Sequence, residues 1–127
     1  MKSLENEIEQ LNRTGFYNLK LIITGDPVFL NADYDIFLFR MVQEGLNNII
    51  KHAEATKIIV RLYCQKESLE IEIEDNGKGF DKNNISDSNG LKNIMSRARH
   101  LKGNATIQSE IGEGTILKIK IPLYDQE

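Results

Sequence analysis

At 127 residues the chain is long enough to close one two-layer core and too short for two domains of ordinary size. With 40% hydrophobic and 28% charged residues, and neither a long apolar run nor a signal-peptide pattern, it reads as a soluble cytoplasmic unit without a direct membrane contact. A formal net charge of -3 argues against a nucleic-acid surface, and the single cysteine, Cys64, excludes an internal disulfide or thiolate metal cluster and reads as a core residue.

In chain order, Ser3 to Asn12 sets Leu4, Ile8 and Leu11 at helical spacing among charges, with Ser3 able to cap, which predicts a short helix or the end of a longer one. Tyr17 to Thr24 is rich in β-formers and stops at the turn signal Gly25-Asp26-Pro27, after which Val28 to Leu30 could add a short strand. From Asp33 to about Lys51, Ile36, Phe39, Val42, Leu46, Ile49 and Ile50 recur near the α-helical period and predict a long helix.

Lys57 to Cys64 and Ser68 to Glu74 read as two strands joined by a hairpin loop at Gln65-Lys66-Glu67. Asn76 to Asn89 has little apolar content and the composition of a long loop, which in a small domain is more often a functional lid than filler. Gly90 to Leu101 predicts a second major helix using Leu91, Ile94, Met95, Ala98 and Leu101, with Lys102-Gly103-Asn104 as a glycine stop. Ala105 to Ile111 and Thr115 to Leu123 form closing strands around the turn Gly112-Glu113-Gly114.

Strand parity singles out Asp75. Counting in twos from Leu69, Ile71 and Ile73 puts its carboxylate on the apolar face, where it needs a partner; the plain alternative is a solvated turn residue before Asn-Gly. On the long helix Arg40, Glu44, Asn48 and Lys51 or His52 share one polar stripe, either a solvated face or an acid, an amide oxygen and a cation in line. Thr115 shares parity with Leu117, Ile119 and Ile121 and so points inward, as an ordinary strand residue or as a pocket hydroxyl. Gly77, Gly79, Gly90, Gly112 and Gly114 fall where backbone turns sharply or approaches a ligand.

The order Gln43-Glu44-Gly45-Leu46-Asn47-Asn48-Ile49-Ile50-Lys51-His52-Ala53, Asp75-Asn76-Gly77-Lys78-Gly79-Phe80, Gly90-Leu91-Lys92-Asn93-Ile94 and Gly112-Glu113-Gly114-Thr115 resembles the GHKL ATPase superfamily. Within it the chain is similar to histidine kinases of the nitrate-sensor and desaturase-regulator branches. The resemblance covers roughly Leu30 to Leu123. It implies an α+β fold of Bergerat type, a two-layer α/β sandwich with a mixed, mainly antiparallel sheet on about three helices and ATP held between the long helix and the lid. It further implies that Asn48 ligates Mg²⁺, that Glu44 assists catalysis and that Lys51 contacts phosphate. Asp75 would accept the adenine amino group, Thr115 would stand at the same adenine edge, Gly77 and Gly79 would turn beneath the base, and Gly90 and Leu91 would open a helix near the phosphates. The implied chemistry is phosphoryl transfer.

The pattern departs at Asn89, where the family carries a glycine and where asparagine tolerates a left-handed turn, and at Gly45, which replaces alanine at an expected cost of about 1 kcal/mol in an exposed helix interior. Neither His52 nor His100 stands in an acceptor-like context. The resemblance therefore implies a phosphoacceptor and dimerisation domain outside the chain, with residues 1–14 as its tail and 15–127 as the catalytic unit, a response regulator further downstream, and the cytoplasmic part of a sensor. A nucleotide-binding module that transfers no phosphate, or an anti-sigma-type serine kinase, are the alternatives.

Overall fold

Eight-residue strands with strict alternation dominate the centre of the molecule. The computed structural model describes residues 2–15, 18–26, 32–52, 56–77, 89–110 and 112–123. Helix α1 (Lys2–Arg13) leads to β1 (Asn18–Gly25), α2 (Ala32–His52), β2 (Lys57–Cys64), β3 (Ser68–Asp75), α3 (Asn89–His100), β4 (Asn104–Glu110) and β5 (Gly114–Pro122). The strands form one mixed sheet of order β1-β2-β3-β5-β4. Only β1 and β2 run parallel, so α2 is the crossover that a parallel pair requires, while the β2-β3 and β4-β5 pairs are hairpins. This is the α+β architecture that the resemblance implied. Val28 to Leu30 lie outside the described residues.

Alternation sorts the two faces of the sheet. Ile58, Val60, Leu62 and Cys64 of β2, Leu69, Ile71 and Ile73 of β3 and Leu117, Ile119 and Ile121 of β5 are buried on the inner face. Against them pack Leu38, Met41, Val42 and Leu46 of α2 and Ile94 and Ala98 of α3. The outer face of β3 carries Glu70, Glu72 and Glu74, flanked by Arg61, which reaches Glu72 at 3.1 Å and Glu74 at 2.8 Å, and by Lys120, 3.6 Å from Glu70. Such half-exposed pairs contribute little stability and serve to pair carboxylates that would otherwise repel.

Helix α1 buries Leu4 and Ile8 in the same core. Burial of two such side chains contributes about 1.5–3 kcal/mol each. Its last turn is fastened to the free edge of β1 by the Asn12 carboxamide, which donates to Leu19 O at 2.9 Å and accepts from Leu19 N at 2.7 Å. One side chain thus satisfies both outward backbone groups of an edge residue.

Three expectations need correction. Gly45 is buried rather than exposed, and a Cβ there would stand 2.7 Å from Ile73 Cδ1 and 3.5 Å from Leu117 Cδ2. The missing methyl lets α2 lie close on β3 and β5, so packing sets the residue and helix propensity does not. At the end of α3 the left-handed residue is Lys102, with φ 61°, and not Gly103. Gly103 N donates to Ala98 O at 2.8 Å and Lys102 N to Arg99 O at 2.9 Å, the paired bonds of a Schellman stop. Gly103 is required for a different reason, since a Cβ on it would fall 2.1 Å from the Lys120 carbonyl oxygen. Helix α3 also starts at Asn89, so this residue opens the helix and does not form a left-handed turn before it.

Candidate functional site

Three strand ends bring together a polar row at the margin of the apolar inner face. Cross-strand register places Ile58 opposite Asp75, Asp75 opposite Thr115 and Thr115 opposite Ser109. Asp75, Thr115 and Ser109 are all buried, at 5%, 4% and 4% exposure. The parity reading of Asp75 and Thr115 therefore holds, and the solvated-turn alternative for Asp75 does not.

The Asp75 carboxylate is held on one side only. Gly77 donates its backbone N–H to Oδ1 at 2.7 Å, while Oδ2 is buried with no hydrogen-bond partner among the described residues. Burial pushes the carboxyl above the ordinary aspartate range, the Gly77 N–H opposes this, the neighbouring Glu74 charge adds to it, and the Thr115 N–H opposes it more weakly. An unsatisfied buried acceptor of this kind costs about 1–3 kcal/mol and marks a place for a donor from outside the chain.

The turn that aims this carboxylate is pinned by Asn76. Its Oδ1 accepts from Thr56 N at 3.0 Å and Lys57 N at 2.9 Å, and its own N–H donates to Lys57 O at 3.2 Å. Asn76 thereby ties the end of β3 to the start of β2 and leaves Gly77 free to fold back on Asp75. On the opposite side Gly114 has φ 92°, and a Cβ on it would sit 2.2 Å from the Asp75 carbonyl oxygen, so only glycine lets β5 start against β3 there. A recess of about 350 Å³ at this end of the sheet is lined by Asp75, Ser109, Gly114 and Thr115 together with Glu74, Gln108, Glu113 and Ile116.

On the helical layer, Glu44 and Arg97 face each other across α2 and α3, with Arg97 Nη1 3.4 Å from Glu44 Oε1. Glu44 Oε2 is buried without a hydrogen-bond partner among the described residues. Gly45, the next residue, packs over Ile73 and Leu117, the cross-strand pair two residues from Asp75 and Thr115. The polar stripe is consequently no uniformly solvated face: Arg40 is exposed, while Glu44 is half-buried and paired.

Asn48 and Lys51 lie on α2 and Gly90 and Leu91 on α3, with their side chains outside the described set, and Gly79 lies outside the described residues. Ser109, Asn76 and Arg97 were assigned no role by the motifs. Parity of Ala105, Ile107 and Ser109 could have found Ser109, whereas the Asn76 and Arg97 contacts are tertiary and leave no periodic mark. Among the described residues no group of three or more His, Cys, Asp or Glu could hold a metal, and no helix is long and apolar enough to cross a membrane.

The chain is 40% identical over 98 residues to the signal transduction histidine-protein kinase/phosphatase DegS of Bacillus subtilis (strain 168), an overlap of 74% of this chain and 26% of that protein. It is 37% identical over 91 residues to the sensor histidine kinase LiaS of the same organism, covering 71% of this chain and 25% of that one. The chain thus spans about a quarter of the length of these relatives. The solved ATP binding domain of PrrB from Mycobacterium tuberculosis shares the fold, with a TM-score of 0.73 at 20% identity over 98% of this chain and 93% of that one. The sequence profile of the histidine kinase-, DNA gyrase B- and HSP90-like ATPases matches residues 33–125, and the chain belongs to that ATP-binding family.

Proposed function

We propose that the chain is the catalytic domain of a sensor histidine kinase, binding Mg-ATP and donating the γ-phosphate to a histidine on a separate phosphoacceptor and dimerisation domain, which then serves a response regulator in the cytoplasm. The observation that supports this most is the buried, unpartnered Asp75 Oδ2, an acceptor placed beside Thr115 at the sheet end. An exocyclic amino group is the donor that such an oxygen calls for, and adenine has one. The kinase relatives by name support the transfer chemistry.

In this reading Asp75 and Thr115 hold the base, while Gly77 and Gly79 shape the chain beneath it. Gly90 and Leu91 stand at the start of α3, where free backbone N–H groups favour phosphate. Lys51 contributes a cation to the phosphates. Asn48, one turn after Glu44 on α2, would offer its amide oxygen to Mg²⁺, which would neutralise phosphate charge when bound. Glu44 assists the transfer by holding or moving a proton at its free oxygen. The test is incubation with labelled ATP, Mg²⁺ and the phosphoacceptor domain of a matching sensor. Labelled phosphohistidine is expected; its absence alongside normal ATP binding would leave a nucleotide-binding module that transfers nothing.

A further inference from the structure

Ser109 ends the polar row and has no role in the reading above, yet its hydroxyl is the one that touches Thr115. The two oxygens lie 2.9 Å apart, and Ser109 Oγ is also 3.3 Å from the Gly114 carbonyl oxygen. A carbonyl can only accept, so the arrangement that forms both bonds sends the Ser109 proton to Gly114 O. Thr115 must then donate its own proton to Ser109 Oγ, and what Thr115 has left for any other partner is lone pairs. Gly114 is fixed in this arrangement by its left-handed backbone and by its approach to the Asp75 carbonyl, so the acceptor for Ser109 is itself held in place.

We propose that Ser109 is a positioning residue for base selection: by taking the Thr115 proton it makes Thr115 an acceptor. Thr115 and the unpaired Asp75 Oδ2, on facing residues of β5 and β3, then both favour a 6-amino group on the purine and both oppose a 6-oxo group. The inference rests on reading Asp75 as the adenine position. Burial of all three side chains makes the polarity matter, because a mismatched pair inside the protein has no water to repair it.

The experiment compares the affinities of ATP and inosine 5′-triphosphate, which differ at the purine 6-position, for the wild-type chain, Ser109→Ala, Thr115→Val and the double variant by calorimetry. Ser109→Ala is expected to lower the ATP-to-ITP affinity ratio roughly three- to tenfold, Thr115→Val to lower it similarly, and the double variant to lower it no further than Thr115→Val. Ser109→Thr, which retains a hydroxyl, is expected to restore the ratio. Should Ser109→Ala fail to fold, Ser109→Cys keeps the volume, loses the strong hydroxyl and reads the same ratio. An unchanged ratio, equal losses for both nucleotides, or additive effects in the double variant would overturn the proposal while leaving the Asp75 pocket standing. A wild-type chain that binds ATP no better than ITP would overturn the Asp75 reading as well.

Discussion

Gly77 donates its backbone N–H to Asp75 Oδ1, while Oδ2, the other oxygen of the same carboxylate, is buried with no hydrogen-bond partner among the described residues. The arrangement stabilises neither the turn nor the strand as fully as a satisfied pair would, and it is reproduced by no other strand end of the described sheet. The folded chain holds an acceptor ready at some cost to its own stability, which is the usual relation between a binding site and the scaffold around it.

That relation has a pH dependence. Burial raises the Asp75 carboxyl above its unfolded value of about 4. Below pH ~4 the group is protonated in both states and its contribution is fully present; as pH rises from there through the raised folded value, the buried charge forms and stability is lost. Asp75→Asn cannot ionise, so its melting temperature relative to wild type is expected to climb across that window. Its ATP affinity is expected to fall about ten- to a hundredfold, because the amide oxygen stays on the Gly77 N–H and the NH2 that replaces Oδ2 cannot accept. Melting curves at several pH values with calorimetry at neutral pH check both halves; parallel curves for the two proteins would show that the carboxyl titrates alike in the folded and unfolded chains.

The packing of Gly45 against Ile73 gives a second prediction. Gly45→Ala gains about 1 kcal/mol of helix propensity but places a methyl against Ile73 Cδ1, and overpacking of this kind costs about 1–3 kcal/mol. The single variant is expected to be neutral to mildly destabilised. In an Ile73→Val background the clashing atom is gone, and Gly45→Ala is expected there to raise stability by about 1 kcal/mol. Denaturant titration of the four proteins measures the coupling; equal effects of Gly45→Ala in both backgrounds would show that the helix shifts to absorb the methyl.

Much of this architecture was legible in the sequence because alternation and the helical period are written into single elements. The strand bounds of Lys57–Cys64 and the inward parity of Asp75 and Thr115 follow from counting in twos. What counting could not supply are relations between elements. Gly45 reads as a weak helix residue until β3 lies against it, and Asn76 as a turn residue until the start of β2 reaches its side chain. The roles of Asn48, Lys51 and Gly79 stand on the motifs.

Lys102 pays a conformational penalty that the neighbouring glycine does not relieve. Its left-handed φ of 61° costs roughly 1 kcal/mol for a residue with a Cβ. Lys102→Gly is expected to stabilise the chain by about 0.5–1 kcal/mol. Gly103→Ala is expected to destabilise it by more than that, since its methyl would meet the Lys120 carbonyl. Opposite shifts in melting temperature for these adjacent substitutions check the assignment, and a loss on Lys102→Gly would show that the side chain contributes more than its backbone costs.

The Glu44–Arg97 pair separates function from stability. Both side chains are about a quarter to a third exposed, at 26% and 32%, so the pair contributes at most about 1 kcal/mol, and Arg97→Met is expected to melt close to wild type. In phosphoryl transfer the expectation differs. Glu44→Gln keeps the shape of the side chain but removes its charge and its capacity to take a proton, and is expected to slow transfer by roughly a hundredfold or more while changing ATP affinity little. Arg97→Met leaves the carboxylate without the contact across α3 that orients it, and is expected to slow transfer about tenfold, again with ATP affinity preserved. Arg97→Lys keeps the charge but presents it from a differently shaped head, and should fall between wild type and Arg97→Met. Rates of acceptor labelling at saturating ATP, set beside binding constants, distinguish these outcomes. Transfer that is unaffected by Arg97→Met would mean that Glu44 is oriented by its own helix, and a loss confined to ATP binding would place Glu44 with the nucleotide and not with the transfer step.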